Sequence, residues 1–217
     1  MATLDRYARE ILEGDDRERL RARASAWYAP RLAALSSPET EEARLLEQAL
    51  VAFQARTARD AAVRNALAAS AAAFVGMDGE PDPAALDSDR YALALTVAVQ
   101  ELGAPLYERL VAFRAALDDP RFEAASASAL GSVRDPALVD RSRALALAGD
   151  LGTRETWGLV MSMFDSPSDR EAAWGWYTAN FDALLDRIPA QWRRRTPSAG
   201  EHFCREADAE RVAAFFA

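Results

Sequence analysis

The stretch DDPRFEAASASALGSVRDPALVDRSRALALAGD, residues 118–150, limits the possible folds more than any other part of the chain. It states one grammar twice. Asp119-Pro120 and Asp135-Pro136 each offer a carboxylate to the free N–H groups of a helix start. Each also offers a proline, whose missing N–H costs nothing in a first turn. Gly131 and Gly149 then stop each helix, since glycine accepts the left-handed backbone that closes a last turn. Short helices with tight, repeated stops suit an antiparallel stack that grows by adding helices.

The rest of the chain follows the same pattern. TLDRYAREILEG puts Leu4, Tyr7, Ile11 and Leu12 on one helical face, with Gly14 as its stop. DDRERLRARASAWYAPRL opens on acidic residues and runs to Pro30, which kinks or ends it. Ser37-Pro38 predicts the start of the next helix, which carries Leu45, Leu46, Ala49, Leu50 and Phe53 at helical spacing. An alanine-rich helix ends at Gly76, and residues 76–89 read as a loop with at most one helical turn. The one β-like run, LVMSMF at 159–164, lies within a helix capped by Thr153, with Trp157, Val160, Met161 and Phe164 on a shared face. The expectation is an all-α domain over residues 1–217, roughly three-quarters helix. Its architecture is an irregular α-helical superhelix of HEAT-like antiparallel helix pairs.

Several kinds of chemistry are excluded. The net charge of −8 repels phosphate backbones, so no nucleic-acid partner is expected. All 26 basic residues are arginines, which removes Schiff-base chemistry and the phosphate-loop lysine. No apolar run reaches membrane-spanning length and MATLDRYARE has no apolar leader, so a cytoplasmic chain without a membrane partner is expected. His202 and Cys204 are the only residues of their kinds. They stand two apart, on different faces of a helix, and H-E-x-x-H is absent, so neither a metal site nor a catalytic residue is predicted. QWRRRTPS, residues 191–198, is the one dense basic cluster. Trp192 with Arg193, Arg194 and Arg195 suits a carboxylate or phosphate, or a solvated helix end.

REAAWGWYTANFDALLDRIP, residues 170–189, carries Trp174, Tyr177, Phe181, Leu184, Leu185 and Ile188 three or four apart, which makes a core stripe. Trp176 stands off that stripe, on a second packing face or at a cavity or partner surface. The spelling W-x5-N-F-x2-L-L, carried by Trp174, Asn180, Phe181, Leu184 and Leu185, resembles the late helix of a known domain. That domain is the C-terminal helical domain of gluzincin zinc aminopeptidases, the aminopeptidase N and endoplasmic-reticulum aminopeptidase family. ALGSVRDPALVDRSRALAL, MSMFDSPSDREAAW and the closing EADAERVAAFFA resemble further runs of the same domain in the same order.

The resemblance implies a non-catalytic piece of a longer enzyme. It closes over a catalytic domain, walls a peptide chamber and meets peptide substrate. The zinc, the H-E-x-x-H helix and the G-x-M-E-N loop lie on that other domain, and this chain needs no cofactor of its own. The candidate peptide or partner contacts are Trp176, Arg134 and Arg143. A first helix made for a neighbour predicts self-association through Leu4, Tyr7, Ile11 and Leu12. The alternative reading is a free-standing helical scaffold for protein–protein interaction.

Overall fold

Side-chain caps at Thr40, Asp60, Asp119 and Asp135 set where four of the helices begin. The computed structural model describes residues 1–217 except Ser36, Ala115 and Cys204, and gives the backbone alone at Ala2, Arg9, Glu10 and His202. Its α-helices are α1 Ala2–Arg6, α2 Gly14–Ala33, α3 Glu41–Phe53, α4 Ala61–Val75, α5 Tyr91–Leu102, α6 Ala104–Arg114 and α7 Pro120–Gly131. They continue with α8 Pro136–Ala148, α9 Thr153–Ser162, α10 Arg170–Ala179, α11 Phe181–Leu185, α12 Ala190–Arg193 and α13 Glu206–Phe216. Helix makes up 76% of the chain, and the described residues contain no strand. No helix among them is long and apolar enough to cross a membrane.

Both Asp-Pro starts form as the sequence demands. The Asp119 carboxylate accepts from the Arg121 N–H at 2.8 Å, and the Asp135 carboxylate from the Ala137 N–H at 2.9 Å. Gly76 and Gly149 take left-handed backbones at the ends of α4 and α8.

Five local expectations need correction. Gly14 does not end the first helix. With φ +50° it opens α2, and a π-helical turn, Tyr7–Ile11, finishes the first segment. Ser37-Pro38 does not start α3. Thr40 caps it, its hydroxyl accepting from the Ala43 N–H at 3.2 Å, because a hydroxyl at that position faces the free amides. The loop at 76–89 holds two short 3₁₀ turns, Pro83–Ala85 and Ser88–Arg90, which seat buried Leu86. Thr153 is the first residue of α9 rather than its cap. The capping position is Gly152, whose N–H donates to the Glu155 carboxylate at 2.6 Å. The stripe on 170–189 is not one helix. It breaks at Asn180, whose amide turns back to the Trp176 carbonyl at 2.8 Å and separates α10 from α11.

Packing runs helix to helix through the middle of the chain. α4, α5, α7 and α9 stack one on the next, with α6 lying on α4, α5 and α7, and α8 on α7 and α9. Leu95, Leu106, Tyr107, Leu110, Phe122 and Leu159 are fully buried between them. Phe74, Tyr91, Phe113 and Phe122 meet with ring centroids between 5.2 and 5.9 Å apart. Gly131 serves a purpose other than a left-handed stop. A Cβ there would lie 2.1 Å from the Leu159 carbonyl oxygen, so the crossing of α7 and α9 requires glycine. At the C-terminal end, Trp174, Phe203 and Phe215 pack edge to face, with Trp174 5.6 Å from each of the other two. The stripe on residues 170–189 is therefore core, with Trp174, Tyr177, Leu184 and Ile188 all buried.

The N-terminal region is thinner. Ala24, Phe53 and Ala58 form a small separate cluster, with Leu4 and Tyr28 against it. Of the predicted docking row, Tyr7 and Ile11 are exposed at 45% and 51%, while Leu4 and Leu12 are half-buried.

Candidate functional site

The ends of several helices converge on a cleft of about 500 Å³. Arg17 and Arg21 reach it from α2, Arg56 and Arg59 from the turn after α3, and Arg64 from α4. Arg134 enters from the α7–α8 loop and Arg143 from α8. Against these seven arginines stand three aspartates, Asp140, Asp165 and Asp169. A chain of net charge −8 thus concentrates positive charge in one concave place.

The arginines divide by what holds them. Arg64 is buried and structural. Its guanidinium donates to the Ala55 carbonyl at 2.8 Å and to the Gln100 side chain at 3.1 Å, and it pairs with Glu101. Arg17 donates to the Leu12 carbonyl at 2.7 Å, and Arg21 pairs with Glu18. Arg143 shares its donors between Asp140 and the Ala172 carbonyl, each at 3.2 Å. The side chains of Arg56, Arg59 and Arg134 make no hydrogen bond or ion pair with any described residue. Their planar, multi-donor forks remain free for an acceptor in the cleft.

Arg59 is the most constrained of them. The α3 helix runs into a π-helical turn, Gln54–Ala58, whose last carbonyls need donors. The chain closes that turn by sending the Arg59 and Asp60 N–H groups back to the Gln54 carbonyl, Asp60 at 2.9 Å. Closure places Arg59 at φ 53°, ψ 40°, the only described non-glycine residue with positive φ. A left-handed backbone at a residue with a Cβ costs on the order of 1 kcal/mol. Burial, then the neighbouring Arg134, Arg64 and Arg21 cations, pushes the Arg59 guanidinium down to about 10. It is still charged at neutral pH, and the depression measures how poorly its charge is satisfied. Burial and the Arg64 charge lower Arg134 as well, with Asp169 acting the other way.

Asp60 anchors the turn from the other side. It accepts from the Ser25 hydroxyl at 2.6 Å and from the Val63 N–H at 3.1 Å. These bonds hold its carboxyl below the ordinary value.

Two of the residues singled out from sequence, Arg134 and Arg143, line this cleft. Trp176 does not line it and is half-buried against the core. Sequence reasoning missed Arg59, Arg56, Arg64, Arg17 and Arg21. Arg56, Arg59 and Arg64 show in the sequence only as a run of arginines, Arg17 and Arg21 only as part of RERLRAR, and nothing in QARTARD marks a left-handed residue, since no glycine or asparagine stands there. Among the described residues no group of three histidine, cysteine or carboxylate side chains could hold a metal. Cys204 and the His202 side chain lie outside the described residues.

A model of the ERAP1-like C-terminal domain matches residues 2–217 of the chain. No curated protein matches it.

Proposed function

The chain belongs to the ERAP1-like C-terminal domain family, the non-catalytic part of zinc aminopeptidases, and from that premise we propose how it serves such an enzyme. It closes over the catalytic domain and forms part of the wall of the peptide chamber, as a curved stack of helix pairs. The arginine cleft receives a carboxylate of the peptide substrate, with Arg59 and Arg134 as its principal donors and Arg143 at the side. Zinc chemistry belongs to the catalytic domain of the parent enzyme, and the described residues here offer no set of ligands for it.

One observation carries the reading. The Arg59 and Arg134 guanidiniums are desolvated by burial and crowded by like charge, and neither makes a hydrogen bond or ion pair with a described residue, with Glu101 and Asp169 acting only at longer range. An entering carboxylate relieves that crowding and satisfies the donors at once. Binding would therefore stabilise the chain in proportion to occupancy.

The test compares an N-acetylated peptide with a free C-terminal carboxylate against its amide, titrated into the purified chain. The acid should bind and raise Tm, and the amide should bind at least roughly tenfold more weakly, the loss of one charge-assisted interaction. Arg59→Gln should remove that difference. Equal binding of acid and amide would count against the cleft.

A free-standing scaffold remains the second reading, favoured by exposed Tyr7, Ile11, Trp27 and Leu45. The mass of the native product separates the two. A product several times heavier than 23.7 kDa supports the aminopeptidase, and one of that mass supports the scaffold.

A further inference from the structure

The arginine cleft holds more positive charge than one carboxylate neutralises. Seven arginines line it. Among the described residues five carboxylates line it or pair with them: Asp140, Asp165 and Asp169 in the wall, Glu18 on Arg21 and Glu101 on Arg64. Two positive charges are left over. Of the seven, Arg17, Arg56, Arg59 and Arg134 have no carboxylate in contact, Arg17 donating only to the Leu12 carbonyl. Arg59 feels the charges of Arg134, Arg64 and Arg21, and Arg134 those of Arg64 and Arg21, so the excess is gathered in one place.

The rest of the wall does little to hold any other kind of side chain. Its apolar side chains are those of alanines, valines, prolines and Met163, with no leucine, isoleucine or aromatic ring, so a large apolar group finds little surface to bury against. The hydroxyls of Ser132, Ser142 and Ser162 already donate to the carbonyls of Ala129, Leu130 and Gly158. The Gln100 amide likewise bonds to Arg64 and to the Ser132 carbonyl. A neutral polar side chain is thus offered few open donors, and a basic one is repelled. The open donors are arginine N–H groups, whose best acceptors are carboxylates.

We propose that the cleft selects peptides whose last residue is aspartate or glutamate. The main-chain carboxylate meets Arg59 and Arg134, and the side-chain carboxylate balances the second surplus charge. Both anions enter on one residue, so the second adds attraction with little further loss of freedom. The preference rests on the reading that the cleft takes a peptide carboxylate at all, and it adds which residue carries that carboxylate.

Calorimetric titration of the chain with N-acetylated peptides of one length and one preceding sequence tests it. Four of them end in glutamate, glutamine or leucine as free acids, or in glutamine amide. A fifth ends in glutamine acid and carries glutamate in place of its first residue. The glutamate acid should bind at least roughly tenfold more tightly than the glutamine and leucine acids, the effect of one further charge-assisted contact. The fifth peptide, with the same net charge, should bind like the plain glutamine acid, and added salt should shrink the glutamate advantage. The double variant Arg56→Gln/Arg134→Gln changes two exposed side chains that bond to no described residue. It removes both surplus charges and should bring the glutamate and glutamine acids within about twofold of each other. Equal binding of the glutamine acid and its amide would overturn the carboxylate reading beneath the proposal. A glutamine acid that binds more tightly than its amide, but no less tightly than the glutamate acid, leaves that reading standing and overturns the preference alone. So does a leucine acid or a fifth peptide that matches the glutamate acid, or a preference that survives in the double variant.

Discussion

Helices α2 and α5 are attached to the same molecule by different physics. α2 has 20 residues and buries only Ala24, whereas α5 has 12 and buries seven. α5 is held by non-directional packing, with each buried leucine or valine contributing about 1.5–3 kcal/mol relative to exposure. The N-terminal segments are held by directional bonds. The Thr57 hydroxyl donates to Asp5 at 2.5 Å, the Ser25 hydroxyl to Asp60 at 2.6 Å, and the Gln54 amide to the Ser25 carbonyl at 3.1 Å. Such contacts contribute about 1 kcal/mol each and are lost when geometry shifts. The region that bears Arg17, Arg21, Arg56 and Arg59, four of the seven cleft arginines, is thus the one easiest to move. Amide exchange should show it directly. Protons in α2 should exchange through local opening, and those in α5 and α7 only through global unfolding.

The strongest challenge to this contrast is Gly131→Ala. Its methyl meets backbone, not a flexible side chain, so α7 and α9 must separate. The loss should be about 3 kcal/mol or more in urea unfolding, and it should lower protection throughout the middle of the chain. Arg64→Met comes next, at about 2 kcal/mol. It leaves the Ala55 carbonyl and Gln100 without their donor at the seam between the two regions. Protection should then fall in the N-terminal region before the centre.

Ser25→Ala should cost about 1 kcal/mol, and the cost depends on pH. Asp60 titrates lower when folded than when unfolded, so its contribution is full above its ordinary 3.8 and disappears as pH falls through the folded value. Wild type and variant should therefore converge in acid. Divergence there would show that Ser25 acts by some route other than the carboxylate. The smallest effect belongs to Trp27→Ala. Trp27 is 58% exposed with Arg23 over its ring, and the change should stay within about 0.5 kcal/mol. A larger loss, or a change in sedimentation, would mean that this face is covered in solution.

Local chemistry was the legible part of the fold. Asp119, Asp135, Gly76 and Gly149 act within four residues of where they stand, so their roles can be read in order along the chain. The aromatic stripe at 174–188 was legible as core for the same reason. Its interruption at Asn180 was not, since a side-chain amide bonding to the carbonyl four residues back is compatible with helix or with a break. Gly131 was placed correctly at a helix end but for the wrong reason, because its partner, Leu159, lies on another helix. Of the cleft, only Arg134 and Arg143 were singled out from sequence. The rest comes from four other stretches, and an arginine facing solvent and one facing a cleft are spelled alike.

Arg59 also limits how this position can vary. The residues at ease with φ +53° are glycine, asparagine and aspartate, and none of them is a cation. Every replacement that relaxes the backbone therefore discharges the cleft, and every replacement that keeps the charge inherits the discomfort. Backbone ease and positive charge are mutually exclusive at this one site, so a library of variants sorted for thermal stability should enrich glycine, asparagine or aspartate there, and one sorted for anion capture should return arginine or lysine.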